Sequence, residues 1–405
     1  MRDSWEVTAE KWVYGGDALA RAPAADAEAP ASEGPGKPGR VMLIPFVLPG
    51  ETVRARLVDD LYAKAERIAV ASPARVTPPC PLFTRCGGCH YQHAPYEYQL
   101  ARKVEILREQ LQRVGKIRFE GEIGVVSGPP LGYRNRVQLH VEGGRIGYRA
   151  AGSHALVPLE GECPIASPRL QKAFELLRSR MREPRFPRFV HSLELFTNES
   201  EVQVNVLESE RQVAQWFYEW CESAAVIEYP AINTQFRVSP RSFFQVNRFL
   251  MDALIEEALG TASGASALDL YSGVGLFALG LARQFAKVTA VEAGASAVRD
   301  LEFNAHRAGV SVKVHQARVE DHMARLDRAP DFVLADPPRA GLGKAVTGHL
   351  ERLAPPRIVV VSCDPSTLAR DLATLKNYRI ERLTLVDLFP QTYHLETIAH
   401  LVRIG

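Results

Sequence analysis

Strand-like alternation opens the chain. The stretches "WEVTAEKWVYGG" and "RVMLIPFVLPGETVRARLVDDLYAKAERIAVA" set apolar residues at alternate positions, with Gly and Pro as punctuation. Between them "ARAPAADAEAPASEGPGKPGR" is rich in Ala, Pro and Gly, which predicts an extended, mobile loop. Several short strands within about 70 residues fit an OB-like barrel, a fold whose usual partner is an oligonucleotide. The rhythm then turns helical. In "YEYQLARKVEILREQLQRVG" the residues Leu100, Val104, Leu107 and Leu111 recur on one face, and Gly115 supplies a stop. From Glu120 to about Arg237 strands return, with a helix over Leu170 to Met181 and a hairpin turning at Gly143 and Gly144.

Beyond Ser242 short β-branched runs ("ALDLYS", "KVTAVEA", "VKVHQA", "DFVLADPP", "RIVVVSCD") alternate with helical stretches such as "GLFALGLARQF" and "AVRDLEFNAHRAG". Continuous apolar runs of this length suit strands buried on both faces, so the pattern predicts a doubly wound α/β domain. The expected division is a barrel over 1–72, a β-rich central domain over 73–240 and an α/β domain over 241–405.

Composition narrows this little. The 405 residues are 46% hydrophobic and 24% charged, with a formal charge of +2, so any nucleic-acid surface must be local. One local group exists: "RSRMREPRFPR" carries five arginines from Arg178 to Arg188. No apolar run is long enough to span a bilayer and the N-terminal segment lacks a signal-peptide core. The expectation is a cytoplasmic protein without disulfides and without a membrane partner.

Chemistry concentrates in two places. Cys80, Cys86 and Cys89 fall within ten residues, and Cys163 in "GECPIA" completes a quartet of soft ligands. Such a set suits a structural zinc or an iron–sulfur cluster, and the spacing does not separate them. Cys221 is left over and reads as core. The second place is the carboxyl edge of the α/β domain. Gly273 and Gly275 permit a tight turn and close backbone approach to a ligand. Glu292, roughly 20 residues on, is placed to accept hydrogen bonds from ribose hydroxyls. The run Gly273-x-Gly275-x-x-Ala278 also satisfies the dinucleotide fingerprint, so NAD is a rival ligand. Asp336-Pro337-Pro338 and Ser362-Cys363-Asp364-Pro365 then end two successive strands. Adjacent parallel strands bring Asp336 and Cys363 to one edge with Glu292 and the glycine turn.

"DPPR", "SCDPSTLARDL", the upstream "SFFQVN" and the terminal "FPQTYHLET" resemble the RNA 5-methyluridine methyltransferase family. The resemblance covers nearly the whole chain, including a TRAM-like barrel at the start; Ser272 stands where the family commonly has cysteine. It implies S-adenosylmethionine as cofactor and C5 of uracil in RNA as the site of reaction. Uracil C5 is a poor nucleophile. A thiolate added at C6 turns the ring into an enolate, the methyl group transfers, a base removes the C5 proton and the thiolate leaves. By resemblance Cys363 is the nucleophile and Glu396 the base, with His394 two residues before it and, on a strand, on the same side. Gln245, Tyr271, Glu292 and Asp336 would contact the cofactor or the target base. The quartet Cys80, Cys86, Cys89 and Cys163 would hold a [4Fe–4S] cluster. Relatives acting on tRNA often lack those cysteines, so 23S rRNA is the expected substrate, tRNA the alternative, and a monomer the expected state. Enzymes that methylate exocyclic amines usually place an aromatic residue after the paired prolines, where this chain has Arg339. An NAD-dependent oxidoreductase with an iron–sulfur centre leaves "SCDPSTLARD" and the barrel unexplained; a non-catalytic RNA-binding module leaves Cys363 without a task. Arg134, Arg136 and the Arg178–Arg188 group are candidates to hold the RNA backbone, Tyr133 and Tyr148 to stack on bases, and Arg339 and Arg370 to meet a phosphate or the enolate.

Overall fold

The computed structural model describes residues 4–22 and 39–405. The loop expected between the first strands lies for the most part outside the described residues. The chain divides into two compact units, Met1–Ile106 with Gln391–His394, and Leu107–Pro390 with Leu395–Gly405.

In the first unit, strands β1 (Ser4–Trp12), β2 (Asp17–Ala22), β3 (Arg40–Pro45), β4 (Thr52–Leu57) and β5 (Ala63–Val70) form one antiparallel sheet in the order β3-β2-β1-β4-β5. A bridge between Leu43 and Tyr62 joins its two edges, which makes the sheet a small barrel. The alternation read from the sequence is the inside–outside alternation of the strands: Val7, Ala9, Ala18, Ala20, Met42 and Ile44 are buried. The expected boundary at residue 72 falls within this unit, because the cysteine segment packs on the barrel. Trp12 stacks on Tyr91 with ring centroids 4.0 Å apart and donates its indole N–H to the Val47 carbonyl at 2.7 Å.

A fully buried carboxylate braces the barrel. Glu51 accepts the Leu48 N–H at 2.8 Å and the Ser72 N–H at 3.2 Å, and Arg75 reaches both its oxygens at 2.6 and 2.7 Å. Burial alone would raise the Glu51 carboxyl; Arg75 and the two backbone donors reverse this and leave it below its ordinary 4.5. A carboxyl lowered by folding contributes stability above its unfolded value, and loses it as pH falls through the folded value. Replacing Arg75 by alanine strands a buried charge and is expected to cost about 3–5 kcal/mol in urea unfolding at neutral pH. The deficit should shrink in acid, where Glu51 is protonated in both proteins.

The second unit follows from helix α1 (Tyr96–Arg113), which runs up to the predicted glycine stop. Strands β6 (Ile123–Val126), β7 (Arg136–Glu142), β8 (Arg145–Arg149) and β9 (Leu156–Pro158) precede helix α2 (Pro168–Met181), and β10 (Val190–Thr197) and β11 (Val202–Ser209) follow it. A sheet in the order β11-β10-β7-β8-β9 results. Gly143 and Gly144 both take positive φ, 56° and 73°, as the two-residue hairpin between β7 and β8 demands. Ser167 caps α2 by accepting the Leu170 N–H at 3.4 Å, with Pro168 at the first turn. The helix lays Leu170, Phe174, Leu177 and Met181 on Leu139 and Leu193 of the sheet. Cys221 belongs to the same core, as expected, and burial pushes its thiol up to about 12.

Helix α3 (Gln215–Trp220), the hairpin β12 (Ile227–Ala231) and β13 (Thr234–Val238), and helix α4 (Met251–Leu259) lead into the α/β domain. There β14 (Gly264–Leu270), α5 (Ala278–Leu281), β15 (Phe285–Glu292), α6 (Ala295–Arg307), β16 (Val312–Gln316), α7 (Val319–Ala324), β17 (Phe332–Ala335), α8 (Gly343–Leu353), β18 (Arg357–Ser362) and α9 (Pro365–Leu372) alternate. The strands β19 (Tyr378–Val386) and β20 (Glu396–Arg403) complete an eight-stranded sheet, β16-β15-β14-β17-β18-β20-β19-β6. Strands β14 to β18 are parallel to one another, and β20 lies antiparallel between β18 and β19. The order reverses between β14 and β17, which opens a ligand crevice at their carboxyl ends. One helical expectation shrinks: "GLFALGLARQF" yields a single turn. Gly280 packs so closely that a Cβ there would stand 2.3 Å from Leu259 Cδ1. Among the described residues no helix is long and apolar enough to cross a membrane.

Candidate active site

The crevice collects most of the residues singled out in the α/β sequence. After β14 the chain turns sharply at Tyr271, whose φ of 61° is left-handed, and Gly273 and Gly275 follow at 54° and 95°. A Cβ added at Gly273 would meet nothing within 4 Å, so the turn faces open space, whereas one at Gly275 would stand 2.8 Å from Leu279 Cδ1. The two glycines therefore do different work: one leaves room for a ligand and the other admits close packing. Glu292, at the end of β15, accepts the Gly273 N–H at 2.9 Å and the Gly294 N–H at 2.7 Å. It braces the glycine turn and retains lone pairs for a hydroxyl. Ser272 Oγ donates to the Asp269 carbonyl at 2.8 Å and accepts the Val291 N–H at 3.1 Å, which locks the end of β14 to β15.

Register sets the rest. β17 and β18 pair in parallel, so Asp336 and Cys363 leave the sheet on the same edge. Ser362 pairs with Thr397 of the antiparallel β20. Cys363 is the next residue after one partner and Glu396 the residue before the other, which puts thiol and carboxyl side by side across one ladder. Gln245 is buried and donates to Asp336 Oδ2 at 3.4 Å. Asp364 caps α9 immediately after Cys363, accepting the Ser366 and Thr367 N–H groups at 2.9 and 3.0 Å, with Pro365 in the first turn.

The electrostatics of this group are mutual. Burial raises the Asp336 carboxyl to about 7. Burial, together with Asp336, drives the Glu396 carboxyl well above the usual carboxylate range, against the pull of Arg339. Burial lifts the Cys363 thiol to about 12, with Glu396, Asp336 and Asp364 adding to the effect and Arg339 opposing it. Two carboxyls held toward neutrality beside one thiol form a proton-handling centre.

Some expectations change. His394 precedes β20 instead of lying on it and belongs with the first compact unit, so it does not share a strand face with Glu396. Tyr133 is fully buried with its hydroxyl on the Pro390 carbonyl at 3.0 Å, a core residue and not a base platform. Arg136 is buried, paired with Glu194 at 2.7 Å and bonded to the Ser242 carbonyl, so it fastens the central sheet to the "SFFQVN" segment and is unavailable to a phosphate. Arg180 and Arg185 both stack on Trp220, leaving Arg182 and Arg188 as the more available members of that group. Arg370 is bound to Asp371 and to the Ala340 carbonyl. Periodicity also overlooked Asp269, which is fully buried beneath the glycine turn, where burial drives its carboxyl well above the usual carboxylate range. It missed Asn304 too, which donates to the Val274 carbonyl at 3.0 Å and supports the turn from α6.

A switch-point crevice with an open glycine turn, a bracing acid on the second strand and a cysteine beside buried acids fits a class I S-adenosylmethionine-dependent methyltransferase, and the similarity to known proteins supports that class. A family model described as tRNA (Uracil-5-)-methyltransferase matches residues 224–404. The chain is 34% identical to the Pseudomonas putida protein named 23S rRNA (uracil(1939)-C(5))-methyltransferase RlmD, covering 89% of this chain and 88% of that one. It is 33% identical to an Aquifex aeolicus protein named only as an uncharacterized RNA methyltransferase, over 98% of both. Among solved structures it resembles the Pyrococcus abyssi tRNA (uracil-54, C5)-methyltransferase in complex with S-adenosyl-L-homocysteine. That match has a TM-score of 0.76 and 26% identity, covering 98% of this chain and 99% of that one. The chain belongs to the RNA uracil-C5 methyltransferase family, and its activity is S-adenosylmethionine-dependent methylation of uracil C5 in RNA.

Proposed function

We propose that the substrate is a uridine of 23S rRNA and that Cys363 and Glu396 carry the reaction. The carrying observation is the Ser362–Thr397 pairing, which sets a cysteine against a buried acid at the cofactor edge. The Cys363 sulfur adds to C6 of the uracil, forming an S–C6 bond and placing electron density on C5. S-adenosylmethionine, when bound, supplies an electrophilic methyl group and a positive sulfonium. Once C5 carries the methyl group in a new C–C bond, Glu396 takes the C5 proton, the C5=C6 double bond re-forms and the S–C6 bond breaks, returning the sulfur. A carboxyl held toward neutrality is a stronger acceptor, once ionised, than an ordinary glutamate. Gln245 and Asp336 present polar groups to the base or cofactor, Tyr271 packs beside the adenosine moiety, and Glu292 with Gly273 and Gly275 holds its ribose and the turn. The uracil must leave its stack to reach Cys363. The barrel is read as a TRAM-like RNA-binding module.

The choice of 23S rRNA rests on the identity and coverage of the relatives bearing that name. Methylation of separate 23S rRNA and tRNA transcripts, with the product mapped by mass spectrometry, decides it; product on tRNA alone would reverse the assignment.

The donor set Cys80, Cys86, Cys89 and Cys163 fits a [4Fe–4S] cluster in its chemistry. All four are half-buried cysteines, and the Gly88 N–H donates to Cys86 Sγ at 3.4 Å, the kind of bond that tunes cluster sulfur. Among the described residues no group of three or more ligating side chains stands ready for a metal ion. The cluster would serve structure or RNA binding, since methyl transfer needs no redox step. Anaerobically purified protein should be brown; colourless protein with stoichiometric zinc would overturn the iron–sulfur reading.

A further inference from the structure

We propose that Asp371 and Arg370 are positioning residues for the methyl transfer, clamping the loop that carries Arg339 onto the helix that begins beside Cys363. The inference rests on the reading of Cys363 as nucleophile. The loop leaves β17 at Asp336, whose N–H is held by the Leu270 carbonyl at 3.3 Å, and Pro337 and Pro338 stiffen it. The Gly341 N–H closes a turn onto the Pro338 carbonyl at 2.8 Å. Its far end is then seized by α9. Asp371 is 3% exposed; its Oδ2 accepts the Leu342 N–H at 2.6 Å and its Oδ1 accepts Arg370 Nε and Nη2 at 3.0 and 2.8 Å. Arg370 Nη2 also donates to the Ala340 carbonyl at 2.7 Å.

The fit leaves no slack. Gly341 has φ 77°, and a Cβ there would lie 2.3 Å from Asp371 Oδ2, 2.7 Å from Arg370 Nη2 and 3.1 Å from Thr367 Cβ. Arg339 therefore sits in a short segment pinned at both ends. One pin is on the same eight-residue helix whose N-cap, Asp364, directly follows Cys363. The charged and titratable groups that bear on Cys363 are Glu396, Asp336, Asp364 and Arg339, and Arg339 is the one that favours the thiolate. A clamp that fixes Arg339 relative to α9 thus fixes the cation relative to the nucleophile. A displacement of about 1 Å can cost as much as about 10²-fold in rate.

The test is a double-mutant cycle of Asp371→Asn and Arg339→Ala, read in the full chain by the pH dependence of Cys363 alkylation with iodoacetamide, followed peptide by peptide. Asp371→Asn should slow alkylation at neutral pH about tenfold, consistent with partial loss of that positioning. It should have little effect once Arg339 is already removed. It should lower kcat while KM for S-adenosylmethionine stays near wild type. Gly341→Ala should reproduce the effect from the other side of the contact. Buried Cys221 serves as the folding control and should remain unreactive. Additive effects of Asp371→Asn and Arg339→Ala, an unchanged alkylation profile, or newly reactive Cys221 would each overturn the clamp. Adduct formation by the wild-type protein with 5-fluorouridine RNA, run alongside, keeps the two readings apart. An adduct with an additive cycle sinks the clamp alone; no adduct at all despite bound RNA and cofactor sinks the role of Cys363.

Discussion

Cys363→Ala should abolish methyl transfer, with a loss of at least about 10⁴-fold in kcat, as removal of a covalent nucleophile does. S-adenosylmethionine binding and the melting temperature should stay near wild type. The side chain is small and half-buried, so its removal leaves little packing to lose. The cofactor turn at Gly273 is braced by Glu292 and not by the cysteine. With 5-fluorouridine RNA the wild-type protein should form an adduct stable to denaturation, because fluorine at C5 blocks proton removal, and the variant should form none. The thiol itself should be sluggish. Burial and the neighbouring acids hold it near about 12, so alkylation in the protein without RNA should be slow at neutral pH and accelerate as pH rises. An active alanine variant, or no adduct with 5-fluorouridine RNA despite bound RNA and cofactor, would end the nucleophile assignment.

Glu396→Gln should give the opposite signature, an RNA adduct on ordinary uridine. Attack and methylation need no carboxylate at C5, but release does, so turnover should fall by about 10²–10⁴-fold while the covalent species accumulates on denaturing gels. The acid limb of the wild-type pH–rate profile should lie well above 4.5, since the raised Glu396 carboxyl must be ionised to accept the proton. The stability effect has a definite sign. A carboxyl whose folded pKa is raised contributes stability that is full below its unfolded value and is lost as pH rises through the folded one. As pH rises from 4.5 through the folded value the wild-type protein therefore takes on a penalty that the glutamine variant lacks. The variant should melt higher there, the usual exchange of stability against a strained site. A variant that turns over normally, or that stalls before any adduct forms, would move the base elsewhere.

Local rhythm carried much of this architecture. The β-branched runs over β14 to β18 are where the pattern put them, and parallel neighbours alone bring Asp336 and Cys363 to one edge. The position of Glu396 was not legible that way. It depends on β20 pairing backward onto β18, a non-local choice that no periodicity reports. Burial was equally opaque at single residues. Tyr133 and Arg136 look like RNA ligands in a basic, aromatic stretch, yet both are consumed by internal hydrogen bonds. Nothing in "LARDL" marks Asp371 out; its contact with the loop that follows β17 exists only in three dimensions.

The placement of β20 also bears on how the protein is made. It is synthesised after both of its neighbours, yet it lies between them. A nascent chain that stops short of Glu396 holds β18 and β19 apart with two unpaired edges, the kind of surface that invites aggregation. Such a chain has the Cys363 thiol but lacks the Glu396 carboxyl. Strand β20 thus closes the sheet and, in the same step, brings Glu396 to the edge where Cys363 stands.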